Sequence, residues 1–422
     1  MRQIADFHIH SPYSRAVSKE MTLENLDIGA RKKGITILGT GDFTHPAWFE
    51  SIQRNLEEKE PGLFVLKSNT SSAATRFILT TEISSIYSKN GRARRIHNLI
   101  FAPSLETVKK INTQLGWIGN LKSDGRPILG LDAKELLKIV LAVDARCFFV
   151  PCHCWTPWFA LFGSMSGFDS VEECFEEFSD KIFALETGLS SDPAMNWRLS
   201  QLDKYTLISN SDAHSLPNLG REACVFEIAP EKLSYDEIIR IIKEKDREKF
   251  LFTIEFFPEE GKYHYDGHRL CQARLSPRET KKYNGFCPVC GKSLTIGVMS
   301  RVEELADREE NFTPANAIPF KSLVPLSEII AEALNQGKAT KLVEEEYKNL
   351  IVKGENEFKV LLDLPEMELL KITRPKIAEG IMRVRRKELF ILPGYDGEYG
   401  LVKIFSEQEK TEPPLAQQSL FQ

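Results

Sequence analysis

The first 250 residues alternate short apolar runs of strand length with longer amphipathic runs of helical period. The strand-like runs cover residues 4–10, 35–42, 76–83, 95–101, 147–154, 182–187 and 205–212. The helical patterns between them include residues 23–33, 106–115, 133–143 and 235–245. Alternation of this kind favours a mainly parallel sheet, because each helix returns the chain to the same end of the sheet. We therefore expect an α/β fold, either an open sheet or a closed barrel.

The character of the sequence changes near residue 255 and again near residue 300, which predicts four segments. Residues 1–255 would form the α/β domain, and residues 256–300 a short domain that contains Gly, Tyr, His and Cys. Residues 301–405 carry helical patterns at 326–336, 339–352 and 375–388 and a strand-like end at 400–405. A mainly helical C-terminal domain is expected there. Residues 406–422 are polar and contain proline, which is typical of a flexible tail.

Composition excludes several classes of protein. The chain has 422 residues, of which 42% are apolar and 27% charged, a balance typical of globular rather than disordered proteins. No apolar run approaches the ~18 residues of a membrane span, and the N-terminus does not resemble a secretory signal. A cytoplasmic protein is therefore expected, and the chain is predicted to be a monomer. The formal net charge of −5 means that any nucleic-acid contact must come from local basic patches, and the eight cysteines indicate thiols or metal ligands.

Histidines concentrate at the ends of the predicted strands. Six of the eight lie there, and the other two lie in the cysteine-containing segment. His8 and His10 are two residues apart in one strand, so strand alternation places both imidazoles on one face. The histidines and carboxylates near strand ends are His8, His10, Asp42, His45, Glu82, His97, His153, Glu186, Asp212 and His214.

A lone histidine or aspartate at a strand end is usually an ordinary surface or core residue. Several such residues at the ends of different strands need another explanation, because the loops that follow barrel strands meet at one rim. Groups of like charge gathered there would repel one another unless cations held them. Imidazole and carboxylate ligands together suit Zn²⁺, Mn²⁺ or Fe²⁺. The pattern predicts a catalytic centre with two or three ions and open positions for water.

The order of these residues resembles that of the PHP (polymerase and histidinol phosphatase) superfamily over residues 1 to about 250. The shared elements are His-x-His, Asp-x-x-His, a strand-end Glu, two isolated His and Asp-x-His. The resemblance implies a distorted (β/α)₇ barrel that hydrolyses phosphoesters with two or three divalent cations, zinc, manganese or magnesium. It implies nine ligands: His8, His10, Asp42, His45, Glu82, His97, His153, Asp212 and His214. Catalysis would depend on His8, His10, Glu82, His153 and Asp212.

A second metal site is predicted in the cysteine-containing segment. His268-x-x-Cys271 is followed by Cys287-Pro-Val-Cys290-Gly, and two such pairs match a structural zinc ribbon with three cysteines and one histidine. His264 is an alternative fourth ligand, although the spacing favours His268. A chance cysteine pair is the other interpretation. The five remaining cysteines lie in apolar contexts typical of a core.

Further segments resemble one family within this superfamily, endonuclease Q. They are Thr40-Gly41-Asp42, residues 67–70, residues 298–307, and the order of barrel, ribbon and helical region. The resemblance implies a DNA-repair hydrolase that nicks the phosphodiester 5′ of deaminated bases (uracil, hypoxanthine, xanthine) and of abasic sites. It would leave 3′-hydroxyl and 5′-phosphate ends. A flipped base would need a pocket, for which the candidates are Ser68, Asn69, Thr70, Ser71, Ser72, Trp155 and Trp158. Barrel-top packing explains the two tryptophans equally well.

Two basic clusters are candidates for DNA contact. Residues 371–387 hold seven basic residues against one acid, a pattern that fits contact with phosphates or a solvated helix face. Arg92, Arg94 and Arg95 precede the strand of His97, where they could clamp a phosphate. The DNA-contacting residues predicted in the first cluster are Arg374, Lys376, Arg383, Arg385, Arg386 and Lys387.

The tail contains a motif of a different kind. Gln417-Gln-Ser-Leu420-Phe421 resembles the first half of the peptide that archaeal repair enzymes insert into a PCNA-like sliding clamp. Gln417, Leu420 and Phe421 are the predicted clamp-binding residues, and an unstructured end is the alternative.

Two other functions compete with the endonuclease interpretation. A PHP phosphatase of the histidinol-phosphate type needs neither a zinc ribbon nor a basic C-terminal region. A non-catalytic DNA-binding scaffold would not retain a full set of ligands. Both are therefore less favoured by the sequence.

Overall fold

The structure is a computed structural model, and it describes residues 1–69, 74–406 and 409. Its strands are β1 (Arg2–Asp6), β2 (Ile37–Gly39), β3 (Leu56–Glu60), β4 (Leu63–Leu66), β5 (Arg76–Lys89), β6 (Arg92–Ala102), β7 (Ile128–Leu129), β8 (Phe148–Pro151), β9 (Ala184–Glu186), β10 (Thr206–Ile208), β11 (Ala223–Glu227), β12 (Phe250–Glu255), β13 (Asp266–His268), β14 (Ala273–Leu275), β15 (Phe320–Ser322), β16 (Phe390–Leu392) and β17 (Leu401–Lys403).

Its α-helices are α1 (Leu23–Lys33), α2 (Pro46–Asn55), α3 (Leu105–Gly116), α4 (Ala133–Val143), α5 (Val171–Phe175), α6 (Pro193–Asn196), α7 (Tyr235–Lys243), α8 (Pro277–Lys282), α9 (Val298–Leu305), α10 (Leu326–Ala333), α11 (Lys341–Gly354), α12 (Glu366–Ile372) and α13 (Pro375–Arg386). Within the described ranges, no helix has both the length and the apolar character that a bilayer crossing demands.

The described residues form two compact units. The first comprises Met1–Ser322 with Pro393–Gly400, and the second comprises Leu323–Leu392 with the described residues from Leu401 onward. Residues 301–322, assigned above to the C-terminal domain, therefore lie in the first unit. The reason is strand pairing, since β15 pairs in parallel with β12 and sets Phe320 opposite Thr253.

Seven strands of the first unit form a distorted barrel. β1, β2 and β5 are parallel neighbours, β5 and β6 form a long antiparallel hairpin, and β6 pairs with β8. β9 and β10 are parallel. Cys154 N–H donates to the Glu186 carbonyl over 3.0 Å, and an Ile9–Ala213 bridge links the end of β1 to the segment after β10. The predicted (β/α)₇ barrel is confirmed, with β11 and β12 extending it beside β1. Its sheet is mixed rather than mainly parallel, because β5, β6 and β8 are joined by antiparallel pairing.

The barrel strands have different lengths from those predicted. β1 ends at Asp6 rather than residue 10, and β10 ends at Ile208 rather than residue 212. The residues beyond these ends leave extended geometry, and Asp42, His153 and Asp212 have φ values of 49°, 29° and 47°. The left-handed backbone turns their side chains inward at the barrel mouth, so the chain ends its strands where the candidate site begins.

Helix α1 occupies the predicted residues, because both of its ends carry capping residues. The Thr22 side chain accepts a hydrogen bond from the N–H of Asn25, and Gly34 closes the helix at φ 89°. Helix α4 also matches its prediction, and Asp132 caps it. Ile238, Ile241 and Ile242 of α7 join the apolar cluster that contains Phe7 and Phe101.

The second unit is mainly helical, as predicted. Helix α10 packs against α11 and α13, and α13 also packs against α12. Buried side chains such as Ile329, Leu350 and Ile381 form its core. The antiparallel pair β16 and β17 completes it. The strand-like run predicted at residues 400–405 is therefore β17, the second strand of this pair.

Substitution of Gly39 in β2 tests how closely β1, β2 and β5 pack together. A Cβ at this position would lie 2.1 Å from the Phe7 carbonyl oxygen and 2.6 Å from Thr80 Oγ1. We expect Gly39→Ala to lower the free energy of unfolding by about 3 kcal/mol or more, because overpacking here involves backbone. The measurement is urea unfolding. Gly130→Ala is the matched control, since nothing lies within 4 Å of its added Cβ, and equal stability of the two variants would contradict this packing.

Candidate metal centre

The carboxyl ends of the barrel strands gather seven histidine and carboxylate side chains. His8 and His10 follow β1, His153 follows β8, and Asp212 and His214 follow β10, while Glu82 and His97 lie within the β5–β6 hairpin. Their ligand atoms form three overlapping groups, each within 4.8 Å: His8, His10 and Glu82; Glu82, His97 and His153; and His10, Asp212 and His214. The sequence prediction that these residues share one site is thus consistent with the geometry.

Glu82 lies at the centre of this cluster and belongs to two of the groups. Its Oε2 is 3.3 Å from His10 Nε2 and 3.6 Å from His8 Nε2. Its Oε1 is 2.6 Å from His97 Nδ1 and 3.1 Å from His153 Nε2. A fully buried carboxylate with imidazoles beside both oxygens is suited to metal ligation.

Electrostatics keep Glu82 ionised. Burial alone would raise the pKa of its carboxyl, but the charges of His97 and Arg126 beside it lower that pKa well below the ordinary value. Arg126 Nη1 lies 3.0 Å from Glu82 Oε2. The centre therefore presents a permanent negative charge together with one fixed guanidinium.

Orphaned polar atoms test whether the residues fit a metal. His8 Nε2, His10 Nε2 and Asp212 Oδ1 are buried without a hydrogen-bond partner, although His10 Nε2 lies only 3.0 Å from Asp212 Oδ1. Buried polar atoms left in this state are costly. A divalent cation would satisfy all three, and the nitrogen and oxygen donors match Zn²⁺ or Mn²⁺. The site fits the predicted metal centre.

Two further carboxylates orient the histidines from behind. Asp42 Oδ1 lies 2.9 Å from His10 Nδ1, and Glu186 Oε1 lies 3.0 Å from His8 Nδ1. Glu186 also accepts hydrogen bonds from the His153 N–H and the Asn210 side-chain amide. A partner on Nδ1 leaves the Nε2 of each ring directed at the centre.

Asp42 and His45 do not join the cluster, which corrects two of the nine predicted ligands. The second oxygen of Asp42 accepts hydrogen bonds from Ser11 N–H and from the Ser11 and Ser14 hydroxyls, so its carboxylate is fully used. The His45 ring stacks on Tyr13 with centroids 4.3 Å apart. The two residues that separate Asp42 from His45 carry the imidazole away from the centre, to the N-terminal end of α2.

The roles of Glu186 and Arg126 do not follow from the predicted ligand pattern. Glu186 was recognised as a strand-end carboxylate, and that position is the signal for its contact with His8. Arg126 lies in an irregular loop, between α3 and β7, that carries no motif. No pattern in the sequence indicated that this loop reaches the centre.

The predicted arginine clamp is wrong for Arg94. Arg94 is buried, donates to the Gly167 carbonyl and lies 3.9 Å from the Phe168 ring centroid. It supports the loop before α5 instead of facing a ligand. Arg95 lies over the Phe159 ring at 5.7 Å, and Arg92 is exposed at the tip of the β5–β6 hairpin.

The predicted lesion-pocket residues are dispersed. Trp155 is buried and donates to Asn196 Oδ1 over 2.8 Å, so it is a core residue. Ser68 and Asn69 precede β5 at the opposite end of the barrel, and the six residue steps from Arg76 to Glu82 span ~20 Å. Asn69 Nδ2 donates to Asp27 of α1. Thr70, Ser71 and Ser72 lie outside the described residues.

Trp158 remains at an opening. It is 37% exposed, and its ring meets Tyr263 edge-on at 5.7 Å. The two aromatic rings line a cleft of about 220 Å³, together with Thr156, whose hydroxyl lies 3.4 Å from His153 Nδ1. This cleft therefore adjoins the metal centre.

Arginines of the C-terminal basic cluster mostly serve the second unit itself. Arg385 donates to the carbonyls of Val360 and Leu361 in a π-helical turn, and of Leu364 directly after it, over 2.6–2.8 Å. Arg383 binds Glu379 and Glu409. The prediction of phosphate contact is wrong for these two, because their donors are consumed by folding.

The rest of the cluster stays near the surface. Arg374 pairs with Glu346, Arg386 with Glu366, and Lys376 Nζ donates to the Glu409 carbonyl. Lys387 ends α13 in a left-handed conformation. For these four side chains, contact with DNA stays a prediction.

The second predicted metal site is assembled. Ligand atoms of His268, Cys271, Cys287 and Cys290 lie within 4.8 Å of one another. His268 ends β13, and Gly291, at φ 69°, allows the tight turn after Cys290. His264 is buried outside this group, and burial lowers the pKa of its imidazole to about 4. Of the two candidates for fourth ligand, the structure favours His268.

Two glutamates separate the role of direct ligand from that of orientation. We expect Glu82→Ala to abolish divalent-cation binding at the centre, because it removes the carboxylate shared by two groups. Glu186→Gln should weaken binding by about 10–100-fold, the usual effect of losing an orienting partner. The measurement is metal content and calorimetric titration with Mn²⁺ and Zn²⁺. Glu231→Gln, at an exposed position, is the control, and unchanged affinity in Glu82→Ala would contradict the assignment.

Part of the chain matches a known domain family, and proteins of similar sequence occur in other organisms. The MJ0043 C-terminal domain family matches residues 325–388. The uncharacterized protein MJ0043 of Methanocaldococcus jannaschii is 37% identical over 265 residues, which cover 62% of this chain and 32% of that protein. This chain thus spans about a third of that relative. The uncharacterized protein YqxK of Bacillus subtilis is 28% identical, with coverage of 94% and 98%.

Solved structures match over nearly the whole length. The lesion-specific endonuclease PfuEndoQ from Pyrococcus furiosus has a TM-score of 0.85 at 31% identity and covers 98% of both chains. An endonuclease Q in complex with a 27-mer duplex substrate, with an abasic lesion at its active site, has a TM-score of 0.83 at 30% identity and the same coverage. Sequence and fold agree over both units, and this chain belongs to the endonuclease Q family.

Proposed function

We propose that this chain is a metal-dependent DNA-repair endonuclease that nicks the phosphodiester 5′ of deaminated bases and abasic sites. One observation carries the proposal: Glu82 and six histidine and aspartate residues around it bring their potential ligand atoms together at the mouth of the barrel. The family supports the choice of substrate, because a solved member holds a duplex with an abasic lesion at its active site.

Each residue of the centre has a defined task in this proposal. Glu82, His97, His153, His8, His10, Asp212 and His214 would hold the divalent cations. Asp42 and Glu186 hold the His10 and His8 rings in place. Bound cations would supply Lewis acidity toward the phosphodiester and lower the pKa of a water molecule. The chain itself would position the phosphodiester, and none of its side chains needs to act as a covalent nucleophile.

Recognition of the lesion requires a place for the extruded nucleotide. We assign this role to the cleft of Trp158 and Tyr263, because enzymes that extrude a base commonly stack it on aromatic side chains. The cleft adjoins Thr156 and hence His153. This assignment replaces the predicted pocket of Ser68, Asn69 and Trp155.

A nicking assay tests the proposal. The full chain is incubated with Mg²⁺, Mn²⁺ or Zn²⁺ and with duplexes that contain uracil, hypoxanthine, an abasic site or no lesion, and separately with histidinol phosphate. We expect one nick 5′ of each lesion, with 3′-hydroxyl and 5′-phosphate ends, and none in EDTA. His8→Ala and Asp212→Ala should lose at least about a thousandfold in rate, since each removes a metal-binding side chain, while duplex binding is retained.

Three results of this assay would contradict the proposal. Equal cleavage of undamaged duplex would exclude lesion specificity, and phosphate release from histidinol phosphate alone would favour a phosphatase. Cleavage within tenfold of the unmodified chain in both variants would exclude the centre as the site of chemistry.

We further propose that His268, Cys271, Cys287 and Cys290 hold one structural zinc ion. Cys287→Ser should release about one zinc per chain and destabilise residues 256–300, because such sites fold with their metal. Metal analysis and thermal unfolding provide the measurement. Cys147→Ser, a buried thiol outside this group, is the control. Unchanged zinc content in Cys287→Ser would contradict the site.

The tail remains a proposal from sequence, because Gln417, Leu420 and Phe421 lie outside the described residues. We expect deletion of residues 417–422 to leave unassisted nicking unchanged and to remove stimulation by a PCNA-like sliding clamp, which raises the local concentration of enzyme on DNA. The measurement compares nicking rates with and without clamp for both chains. Equal stimulation of the two would place the clamp contact elsewhere in the protein.

A further inference from the structure

We infer that a polar groove beside the metal centre binds the DNA backbone next to the scissile phosphate. The groove has a volume of about 710 Å³ and lies between residues 12–19, His45 and residues 122–124. The inference rests on the proposed function and adds a binding surface to it. The groove takes the place of the DNA contacts predicted for Arg94, Arg383 and Arg385, whose side chains bind other parts of the protein.

Ser14 and Asp42 connect the lining of the groove to the centre by hydrogen bonds. The Ser14 hydroxyl lines the groove, donates to Asp42 Oδ2 over 2.7 Å and lies 3.4 Å from His10 Nδ1. Asp42 in turn orients His10. A phosphate chain in the groove would therefore lie beside the side chains that hold His10 in place.

Both walls of the groove are fixed to each other. The Gly125 N–H donates to the Tyr13 carbonyl over 3.1 Å, and Asp124 Oδ1 lies 3.4 Å from the Arg15 nitrogen. A Cβ on Gly125 would lie 2.3 Å from Asp42 Oδ2 and equally close to Ser14 Oγ. Residue 125 must be glycine for the loop to approach this closely, so the groove is preformed.

The cations of the groove are available to a ligand. Arg15, Lys19 and Lys122 line it, and all three are exposed apart from a hydrogen bond of Lys19 to the Pro12 carbonyl. In the described part of the chain, no carboxylate lies within ion-pair distance of the Arg15 or Lys122 side chain. Asp124, the acid in the lining, accepts hydrogen bonds from the backbone of Arg15 and Arg126. Unpaired cations along a groove are the electrostatic pattern that binds phosphates.

Arg126 connects the groove to the chemistry. It follows the groove residues 122–124, its Nη1 lies 3.0 Å from Glu82 Oε2, and 27% of its side chain is exposed. Among the residues described, no other Lys or Arg side chain forms an ion pair with Glu82 or Asp212. A guanidinium at this point can bind a non-bridging oxygen of the scissile phosphate while Arg15 and Lys122 hold its neighbours.

The exposed aromatic ring at the groove suits the sugar or base of the same strand. Tyr13 is 44% exposed and stacks on His45 at 4.3 Å between centroids. Stacking of this kind tolerates any sequence. The groove is thus expected to follow the backbone without reading bases, and recognition stays with the lesion itself.

The test measures DNA binding separately from cleavage. Arg15→Ala/Lys122→Ala is made in the Asp212→Ala background, and affinity for a uracil duplex is measured by fluorescence anisotropy between 50 and 200 mM salt. We expect a loss of about tenfold in affinity, and a slope of log K against log salt that is smaller by about 1–2 units, since each phosphate contact contributes ~0.9. Arg54→Ala/Lys110→Ala is the matched control, because both side chains are exposed and ion-paired on α2 and α3.

A neutral methylphosphonate placed in turn at each phosphate around the lesion locates the contact. Affinity of the Asp212→Ala chain should fall at one or two positions adjacent to the scissile phosphate, and the groove variant should lose this sensitivity there. In a chain with Asp212 intact, the groove variant should raise KM for nicking and leave kcat within about twofold.

Three outcomes separate the claims. An unchanged salt slope in the groove variant would overturn the proposal that the groove binds the DNA backbone. The same conclusion would follow if the groove variant were as sensitive to methylphosphonates as the Asp212→Ala chain without the groove substitutions. If the unmodified chain nicks no lesion duplex but the groove variant still loses affinity and slope, the proposed function fails and the groove stands.

Discussion

The central constraint on this molecule is the burial of the Glu82 carboxylate among imidazoles. Its two oxygens lie within 3.6 Å of four histidine rings and are also held by Arg126. A buried charge must be paired, so the barrel has to bring β1, β5, β6 and β8 to one point. Left-handed backbone at Asp42, His153 and Asp212 completes the convergence, at a cost of order 1–3 kcal/mol each that the surrounding structure must offset.

The layer behind the centre explains why its histidines can serve as ligands. Asp42 and Glu186 engage Nδ1 of His10 and His8, and each is fixed by further donors from Ser11, Ser14 or Asn210. The rings therefore cannot rotate to hydrogen-bond with one another, and their Nε2 atoms remain orphaned. This arrangement stores unfavourable desolvation that a cation relieves, so metal affinity and fold stability are linked.

Periodicity and capping allowed the seven barrel strands and several of the longer helices to be predicted, but the sequence could not show where loops go in space. Helices α1 and α4 match because Thr22, Gly34 and Asp132 mark their ends. His8, Glu82 and Asp212 were found because strand ends meet at one rim. Asp42 was misassigned because a ligand and an orienting carboxylate look alike in sequence, and Arg126 was missed because an irregular loop has no period. Arg94 and Arg385 were misassigned because charge says nothing about which carbonyls a guanidinium will meet.

The way the chain uses its cations determines how an acidic protein can bind DNA. With a net charge of −5, long-range attraction to a duplex is weak. Arg94, Arg383 and Arg385 are consumed by carbonyls, carboxylates and rings. The cations that remain near the centre, Arg15, Lys122 and Arg126, are held on loops that Gly125 fixes against Asp42. In the proposed groove, these cations would place binding energy beside the reacting phosphodiester. A backbone that bends or unstacks at a lesion could reach this recessed groove at lower cost than an undamaged duplex, which makes deformation of the DNA part of its recognition.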